Sequence, residues 1–367
     1  MERRRYSYMM AALIILCLLL TACSSQQITI KLGSNNGTIA STNSSDSTGS
    51  ISTNSNVSGS GVQGVHLYVE PDDGEGVITS AINNARKSIW LEMYLLTDRN
   101  VISALEDAAH RNIDVRVMLE DHPYGGGSLS PKETLQKLQY AGVKTMTTNP
   151  QFALTHEKGM VIDGQTAYIM TSNFTLSALG GSKSTSNREY GIIDGNTKDV
   201  QTVQNIFQAD WNRQTPTIND SNLVVSPINS RSSLTGLINS AHKTLLVEAE
   251  EMQDNSIEQA LVAAEKRGVH VEVILPKGQV QAGGNDSNSS GIQTISSSGV
   301  QVKEDAKLYM HAKIFIVDGK TAFVGSENIS TASLEKNREL GIILADSTVI
   351  SKLQQTFQQD WSISIAA

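Results

Sequence analysis

Residues Tyr309–Ser330 have the sequence YMHAKIFIVDGKTAFVGSENIS. An earlier stretch, LTHEKGMVIDGQTAYIMTSNFT, residues Leu154–Thr175, has the same layout, and its His156 precedes His311 by 155 positions. Each stretch carries a histidine and a lysine two residues apart inside an apolar, strand-like run. Folding does not require that arrangement twice, so the repetition indicates a chemical role.

The rest of the chain repeats at nearly the same offset. KSIWLEMYLL (Lys87–Leu96) matches KTLLVEAEEM (Lys243–Met252), and later segments match in the same order. Short β-branched runs alternate with segments of helical spacing in both halves, which predicts an α/β fold with helices packed on sheets. Two long copies predict duplicated α/β sandwich lobes, residues 65–215 and 216–367, related by a pseudo-twofold axis.

The first residues have the layout of an export signal. Three arginines precede the apolar run Met9–Leu20, which is shorter than the ~20 residues of a membrane-spanning helix. Leu20–Cys23 is similar to the lipobox of bacterial lipoproteins, which predicts a signal peptide at 1–22, a lipidated Cys23 and an exported, membrane-tethered protein. Ser, Thr, Asn and Gly dominate the next residues, so 23–64 is predicted to be a disordered tether.

The charge of the chain weighs against nucleic acid as the partner. With 29 basic and 37 acidic residues, the formal net charge is −8. A general nucleic-acid binder is usually basic, although a local basic pocket in an acidic protein leaves that alternative open.

The repeated stretches offer groups that suit a phosphate. On a strand, residues i and i+2 point to the same side, so His156 shares a face with Lys158, and His311 shares one with Lys313. Lysine supplies charge, hydroxyl and carboxamide groups supply directed donors, and the imidazole is left to react. The hydroxyl and carboxamide residues at matching positions are Thr171, Asn173, Ser326 and Asn328.

The pattern His-x-Lys-x4-Asp-x6-Gly-Ser-x-Asn, present twice, resembles the phospholipase D superfamily. The second copy matches at every position, including Asp318. The first copy matches through Asp163 and departs where Met170 and Thr171 replace glycine and serine. Threonine keeps a hydroxyl, whereas methionine adds bulk on that side of the pocket. The two aspartates precede glycine at strand ends, where a structural turn role is expected.

The resemblance implies one active site at the interface of the lobes, with both histidines facing one phosphodiester. His156 is expected to be the nucleophile that forms a phosphohistidine, and His311 the general acid and base, with the reverse left open. The family also places a glutamate after each motif to hold the imidazole, a role that Glu189 and Glu339 fit. The resemblance implies neither a metal nor another cofactor.

The function expected from these features is phospholipase D-type hydrolysis of phospholipid to phosphatidic acid and a free head group. The expected partners are a phospholipid substrate and the membrane that holds the lipid anchor, and the chain is expected to be a monomer. The alternatives are phosphatidyl transfer as in cardiolipin synthase, nuclease action, and a non-catalytic surface binding protein.

Overall fold

Two sheets with the same strand order form the body of the protein. The computed structural model describes residues 61–124, 130–182, 186–278 and 286–367, so the predicted signal peptide, Cys23 and most of the predicted tether lie outside the described residues. The elements of the first lobe are β1 (His66–Glu70), α1 (Gly76–Asn84), β2 (Ser88–Met93), α2 (Arg99–His110), β3 (Asp114–Leu119), α3 (Pro131–Tyr140), β4 (Lys144–Thr147), β5 (Lys158–Ile162), β6 (Thr166–Met170), β7 (Asn187–Asp194) and α4 (Thr197–Trp211).

The second lobe repeats this order with a few short additions. Its elements are β8 (Leu223–Ser226), α5 (Ser230–Asn239), β9 (Thr244–Ala249), β10 (Met252–Gln253), α6 (Asn255–Lys266), β11 (His270–Pro276), α7 (Ser289–Ser296), β12 (Gln301–Asp305), β13 (Tyr309–Met310), β14 (Lys313–Val317), β15 (Thr321–Gly325), β16 (Ile329–Ser330), α8 (Thr331–Glu335), β17 (Glu339–Leu344), α9 (Ser347–Ile363) and β18 (Ile365–Ala366).

The strand orders show the duplication directly. The first sheet runs β1-β7-β6-β5-β2-β3-β4, and the second runs β8-β17-β15-β14-β9-β11-β12-β18. In both sheets the His-x-Lys strand, β5 or β14, lies between two antiparallel neighbours. β5 and β14 are buried along their whole length, as their apolar, β-branched sequences require. The predicted α/β fold of two duplicated lobes is confirmed.

An apolar core between the two sheets joins the lobes. It contains Val161 and Ile192 from the first sheet and Ile314 and Ile342 from the second, with side chains of α4 and α9 around them. Each lobe also has an apolar core of its own, which lies under the helices of that lobe. Val62, near the end of the predicted tether, is also buried in the shared core, where it bridges to Leu344.

Each lobe also adds backbone pairing to the other lobe. β13 of the second lobe pairs in parallel with β7 of the first, so Tyr309 lies opposite Asn187. On the opposite side of the pseudo-twofold axis, Thr155 bridges to Arg338. The segment before each His-x-Lys motif is therefore fastened to the strand that carries the other lobe's glutamate.

Two buried ion pairs reinforce this exchange. The guanidinium of Arg188 donates to both carboxylate oxygens of Asp360 at 2.6 and 2.9 Å. Arg338 does the same to Asp210 at 2.7 and 3.1 Å. Paired, bidentate geometry compensates for burying the charges, so each pair ties one lobe to the other.

Candidate active site

The two histidines of the repeated motif line the same cavity. His156 and His311 are buried, at 8% and 7% exposure, and both contribute to a cavity of about 600 Å³ between the lobes. Nδ1 of His156 lies 3.0 Å from Oε2 of Glu339, and Nδ1 of His311 lies 2.9 Å from Oε2 of Glu189. Each imidazole is thus held by the glutamate of the opposite lobe, an exchange that chain order alone did not reveal.

The exchange follows from the pairing between lobes. The backbone N–H of His156 donates to the carbonyl of Arg338 at 2.8 Å, which places Glu339, the next residue, beside the ring. In the other half, β13 ends at Met310 beside Arg188, which brings Glu189 to His311. Both glutamates are fully buried, so each carboxylate has a fixed position behind its imidazole.

A carboxylate at Nδ1 sets the proton positions on each ring. The carboxylate keeps the ring proton on Nδ1. When the imidazole is neutral, Nε2 therefore carries a lone pair. Burial lowers the pKa of His156, Glu339 opposes this effect, and the charge of Lys158 lowers the pKa further. Burial acts to raise the pKa of Glu339, but His156 and Lys158 hold that pKa below its ordinary value. The arrangement favours a neutral, nucleophilic His156 beside an ionised Glu339.

The motif lysines lie beneath the histidines. Lys158 donates to the carbonyl of His156, and Lys313 donates to the carbonyl of His311 at 2.6 Å. Burial lowers the pKa of Lys158 to about 7, although Glu339 acts to raise it. The lysines are almost fully buried and lie outside the cavity lining. They add positive potential behind the cavity, and their predicted contact with a phosphate stays a prediction.

The structure separates the asparagines from the hydroxyl residues of the motif. Asn173 and Asn328 line the cavity, and their contact with a phosphate stays a prediction. Thr171 and Ser326 are fully buried behind it. Thr171 donates its hydroxyl proton to Glu189 at 2.7 Å, so the structure gives this hydroxyl group a supporting role rather than a place against the substrate.

Ser326 occupies the corresponding place in the second lobe. Its Oγ accepts the N–H of Leu340 at 3.0 Å, and its hydroxyl group helps to lower the pKa of Glu339. Both hydroxyl residues therefore support the glutamates that hold the histidines, instead of facing a bound phosphate.

The departures of the first motif do not reach the cavity. Met170 is fully buried and packs in the apolar core under the helices of the first lobe, with Met93 and Phe174. Its bulk therefore does not narrow the pocket. Thr171 supplies the same hydroxyl group that Ser326 supplies in the other lobe.

The motif aspartates lie at the far ends of the strands. Asp163 and Asp318 have φ angles of +57° and +52° in the turns that follow β5 and β14. The Asp163 carboxylate accepts three consecutive backbone N–H groups, those of Arg86, Lys87 and Ser88. Asp318 accepts the equivalent three from residues 242–244. Both aspartates therefore stabilise turns at the ends of the strands, rather than contacting His156 or His311.

Two cavity residues of the repeat were not recognised from the sequence. Glu250 lies 2.8 Å from Nζ of Lys313 and 3.4 Å from Nε2 of His311. Tyr94 packs edge-on against His156, with ring centroids 4.7 Å apart. The signal that could have revealed them is the alignment of Lys87–Leu96 with Lys243–Met252, where Tyr94 and Glu250 occupy the same position.

The side chains that could ligate a metal are elsewhere. In the described part of the chain, the cluster of such groups is Glu92, Glu157 and Asp210, whose oxygens lie within 4.8 Å of one another. All three are buried outside the cavity lining, and Arg338 supplies a positive charge to Asp210.

Comparison with known proteins identifies the family. The sequence model described as "Cardiolipin synthase, PLD-like domain" matches residues 78–211 and 234–361, one match in each lobe. The chain belongs to the phospholipase D superfamily. It is an enzyme of that superfamily by its fold, its duplicated motif and its relatives.

Curated relatives of this phospholipase D superfamily member carry a transferase name. A cardiolipin synthase of Oceanobacillus iheyensis is 25% identical, with 81% of this chain and 68% of the relative covered. A probable cardiolipin synthase of Bacillus subtilis is 24% identical, with 77% and 63% covered. The chain therefore spans about two thirds of the length of these relatives. The prediction of phospholipid hydrolysis is wrong, because these relatives are named as cardiolipin synthases. Their names favour phosphatidyl transfer, which was the alternative.

Solved structures share the fold. The phosphatidylserine synthase of Haemophilus influenzae superposes with a TM-score of 0.63 at 14% identity, covering 84% of this chain and 88% of that one. A polyphosphate kinase of Porphyromonas gingivalis also gives 0.63, at 17% identity over 80% of this chain and 46% of that one. Within the described ranges, none of the helices has the length and apolar character needed to cross a bilayer.

Proposed function

We propose that the protein is a phosphatidyltransferase that moves a phosphatidyl group from one phospholipid to an alcohol group of another, as in cardiolipin synthesis. One observation carries the proposal: His156 and His311 line one cavity, each held through Nδ1 by the glutamate of the opposite lobe. Two imidazoles that line one cavity, each fixed at Nδ1 by a carboxylate, suit a two-step displacement at phosphorus.

The proposed first step transfers the phosphatidyl group to the enzyme. The Nε2 lone pair of His156 forms a bond to phosphorus, and the bond from phosphorus to the leaving alkoxide oxygen breaks. That oxygen keeps the electron pair and takes the proton from Nε2 of His311. Glu339 stabilises the positive charge that develops on the His156 ring.

The proposed second step reverses the first with a different alcohol. The acceptor hydroxyl oxygen bonds to phosphorus while its proton moves to Nε2 of His311, and the bond from phosphorus to His156 breaks with its electrons returning to the ring. Asn173 and Asn328 line the cavity where they can donate to the phosphate oxygens. Transfer instead of hydrolysis requires that an alcohol reach the intermediate before water does.

The acidic side chains that line the cavity suit hydroxyl groups better than a polyanion. Glu120, Glu250 and Glu251 line the cavity together with the two histidines. Carboxylates accept hydrogen bonds from hydroxyl groups and repel the closely spaced phosphates of nucleic acid. This supports a lipid with a hydroxylated head group as substrate, and a nuclease reading has no comparable support.

The location of the enzyme belongs to the same proposal. The lipobox-like Leu20–Cys23 supports export and lipid anchoring at Cys23. An anchored catalytic body would stay beside the membrane that contains both donor and acceptor, so a monomer would be sufficient.

The test uses vesicles that contain phosphatidylglycerol and the full-length protein. Transfer predicts release of free glycerol and formation of a lipid with two phosphatidyl groups, both lost in His156→Ala and His311→Ala. Phosphatidic acid as the main product, or cleavage of plasmid DNA with no lipid product, would overturn the proposal.

A further inference from the structure

The pseudo-twofold symmetry of the active site is broken beside the two histidines, where Tyr94 in one lobe corresponds to Glu250 in the other. Tyr94 follows β2 and Glu250 follows β9, and the repeat places them at the same point of the two lobes. Both residues line the cavity. The histidines therefore have matching partners at Nδ1 and different neighbours at the side that faces the substrate.

Glu250 gives His311 a second carboxylate. Oε2 of Glu250 lies 3.4 Å from Nε2 of His311, and Nδ1 of the same ring is paired with Glu189. A ring with a carboxylate at each nitrogen can satisfy both only when both nitrogens carry protons. The 3.4 Å contact is longer than a good hydrogen bond, so Nε2–H remains able to turn to another oxygen.

Tyr94 gives His156 no such partner. Its ring lies edge-on to the His156 ring at 4.7 Å between centroids and 5.1 Å from Nζ of Lys158. Its hydroxyl oxygen instead accepts the N–H of Tyr124 at 2.6 Å. Among the described residues, the carboxylate that contacts His156 is that of Glu339 at Nδ1, so Nε2 keeps the lone pair that an attack on phosphorus needs.

We propose that Glu250 is a positioning residue that divides the labour between the two histidines, by holding His311 doubly protonated as the acid and thereby leaving His156 as the nucleophile. The proposal rests on the two-step displacement of the proposed function and extends it. No bond to phosphorus involves Glu250, which acts only through His311.

The charges around His311 are consistent with this role. Glu189 on β7, Glu250 after β9 and Lys313 on β14 contact the ring or its neighbours, and the Tyr309 hydroxyl donates to Glu250 at 2.8 Å. Burial acts to raise the pKa of Glu250, but His311 and Lys313 hold that pKa far below its ordinary value. Glu250 is therefore anionic beside His311.

The experiment compares wild type with two variants. Glu250→Gln removes the charge, and Glu250→Tyr introduces the residue type that the first lobe has at the equivalent position, Tyr94. Glu106→Gln, at a half-buried residue that pairs with Lys137 and does not line the cavity, is the matched loss of a carboxylate. Two probes are used: bis(4-nitrophenyl) phosphate, whose leaving group needs little acid, and short-chain phosphatidylglycerol, whose glycerol leaving group needs a proton.

Three results are expected from the two Glu250 variants. Glycerol release falls by about a hundredfold because general acid catalysis is impaired, while nitrophenol release falls far less. The basic limb of the pH profile for glycerol release moves down by about one to two pH units. Alkaline quenching of the nitrophenyl reaction traps the phosphoryl label on His156 in wild type, and label appears on His311 as well in Glu250→Gln.

The proposal is overturned by label on His311 in wild type, or by variants that slow both probes equally with an unmoved pH profile. Glycerol release without a two-phosphatidyl product would refute the proposed transfer while leaving the role of Glu250 supported. Comparable melting temperatures for all variants separate these outcomes from loss of folding.

Discussion

The substitution Glu339→Gln tests the cross-lobe support of His156 most directly. In the wild-type site, Oε2 of Glu339 faces Nδ1 of His156 at 3.0 Å, while Oε1 accepts the Ser333 hydroxyl proton at 2.7 Å and the Asn337 amide at 3.4 Å. Both partners of Oε1 are donors, so the oxygen of a glutamine must take that side. The glutamine NH₂ group then faces Nδ1.

An N–H group that points at Nδ1 reverses the tautomer of the ring. Nδ1 becomes the acceptor and the proton moves to Nε2, which loses the lone pair needed to attack phosphorus. A buried carboxylate that loses this function behind a catalytic histidine typically reduces kcat by about ten thousandfold. We expect a loss of about a thousandfold to ten thousandfold, about 4 to 5.5 kcal/mol in activation free energy.

The assay is kcat for bis(4-nitrophenyl) phosphate, measured beside Glu189→Gln. A good leaving group does not restore a missing nucleophile, so Glu339→Gln stays slow with this substrate. Glu189 holds the acid, so Glu189→Gln recovers much of its activity when the leaving group is nitrophenolate. The reasoning is refuted if Glu339→Gln, folded as judged by its melting temperature, keeps more than about a tenth of the wild-type rate.

Three further predictions concern stability. Arg338→Met leaves the buried carboxylate of Asp210 without its ion-pair partner, beside two other buried carboxyl groups. The free energy of unfolding measured by urea titration should fall by about 3 to 5 kcal/mol. Adding Asp210→Leu to the same chain should restore part of that loss. Asp318→Ala leaves three backbone N–H groups without their acceptor and should lower the free energy of unfolding by about 2 kcal/mol. A loss of glycerol release at unchanged stability would instead implicate Asp318 in catalysis. Burial raises the pKa of Glu157 to about 8. Between about pH 4.5 and 8, the folded state therefore binds a proton that the unfolded state has released. The free energy of unfolding of the wild type should fall as pH rises through this range. Glu157→Gln should remove that part of the decline, and parallel curves for the two proteins would contradict the assignment.

The repeat allowed the fold to be predicted, together with the two histidines that line the cavity. Matching segments at one offset predicted two lobes of the same topology, because strand order follows from the order of similar segments along the chain. His156 and His311 were found for the same reason. The buried His-x-Lys strands also follow from the β-branched sequences of β5 and β14.

The exchange between lobes could not be predicted from spacing. Glu189 follows His156 in the sequence, but backbone pairing brings it to His311, and chain distance does not report which lobe a strand contacts. Arg188 and Asp360 each recur once per lobe, in NRE and FQ-x-DW segments, yet their partnership depends on the same exchange. The Thr171 hydroxyl was assigned to phosphate because a sequence gives the residue type and not the direction of its side chain.

Duplication within one chain makes the asymmetry of this active site possible. Each half lacks a catalytic partner and an ion-pair partner that the other half supplies, so the site needs two lobes. Two identical halves would present the same residue beside both histidines, either tyrosine or glutamate, and neither ring would be distinguished as acid or nucleophile. With both halves in one chain, Tyr94 and Glu250 differ while the framework that holds the rings stays the same. The proposed division of roles between the two histidines depends on this difference, which two identical halves could not provide.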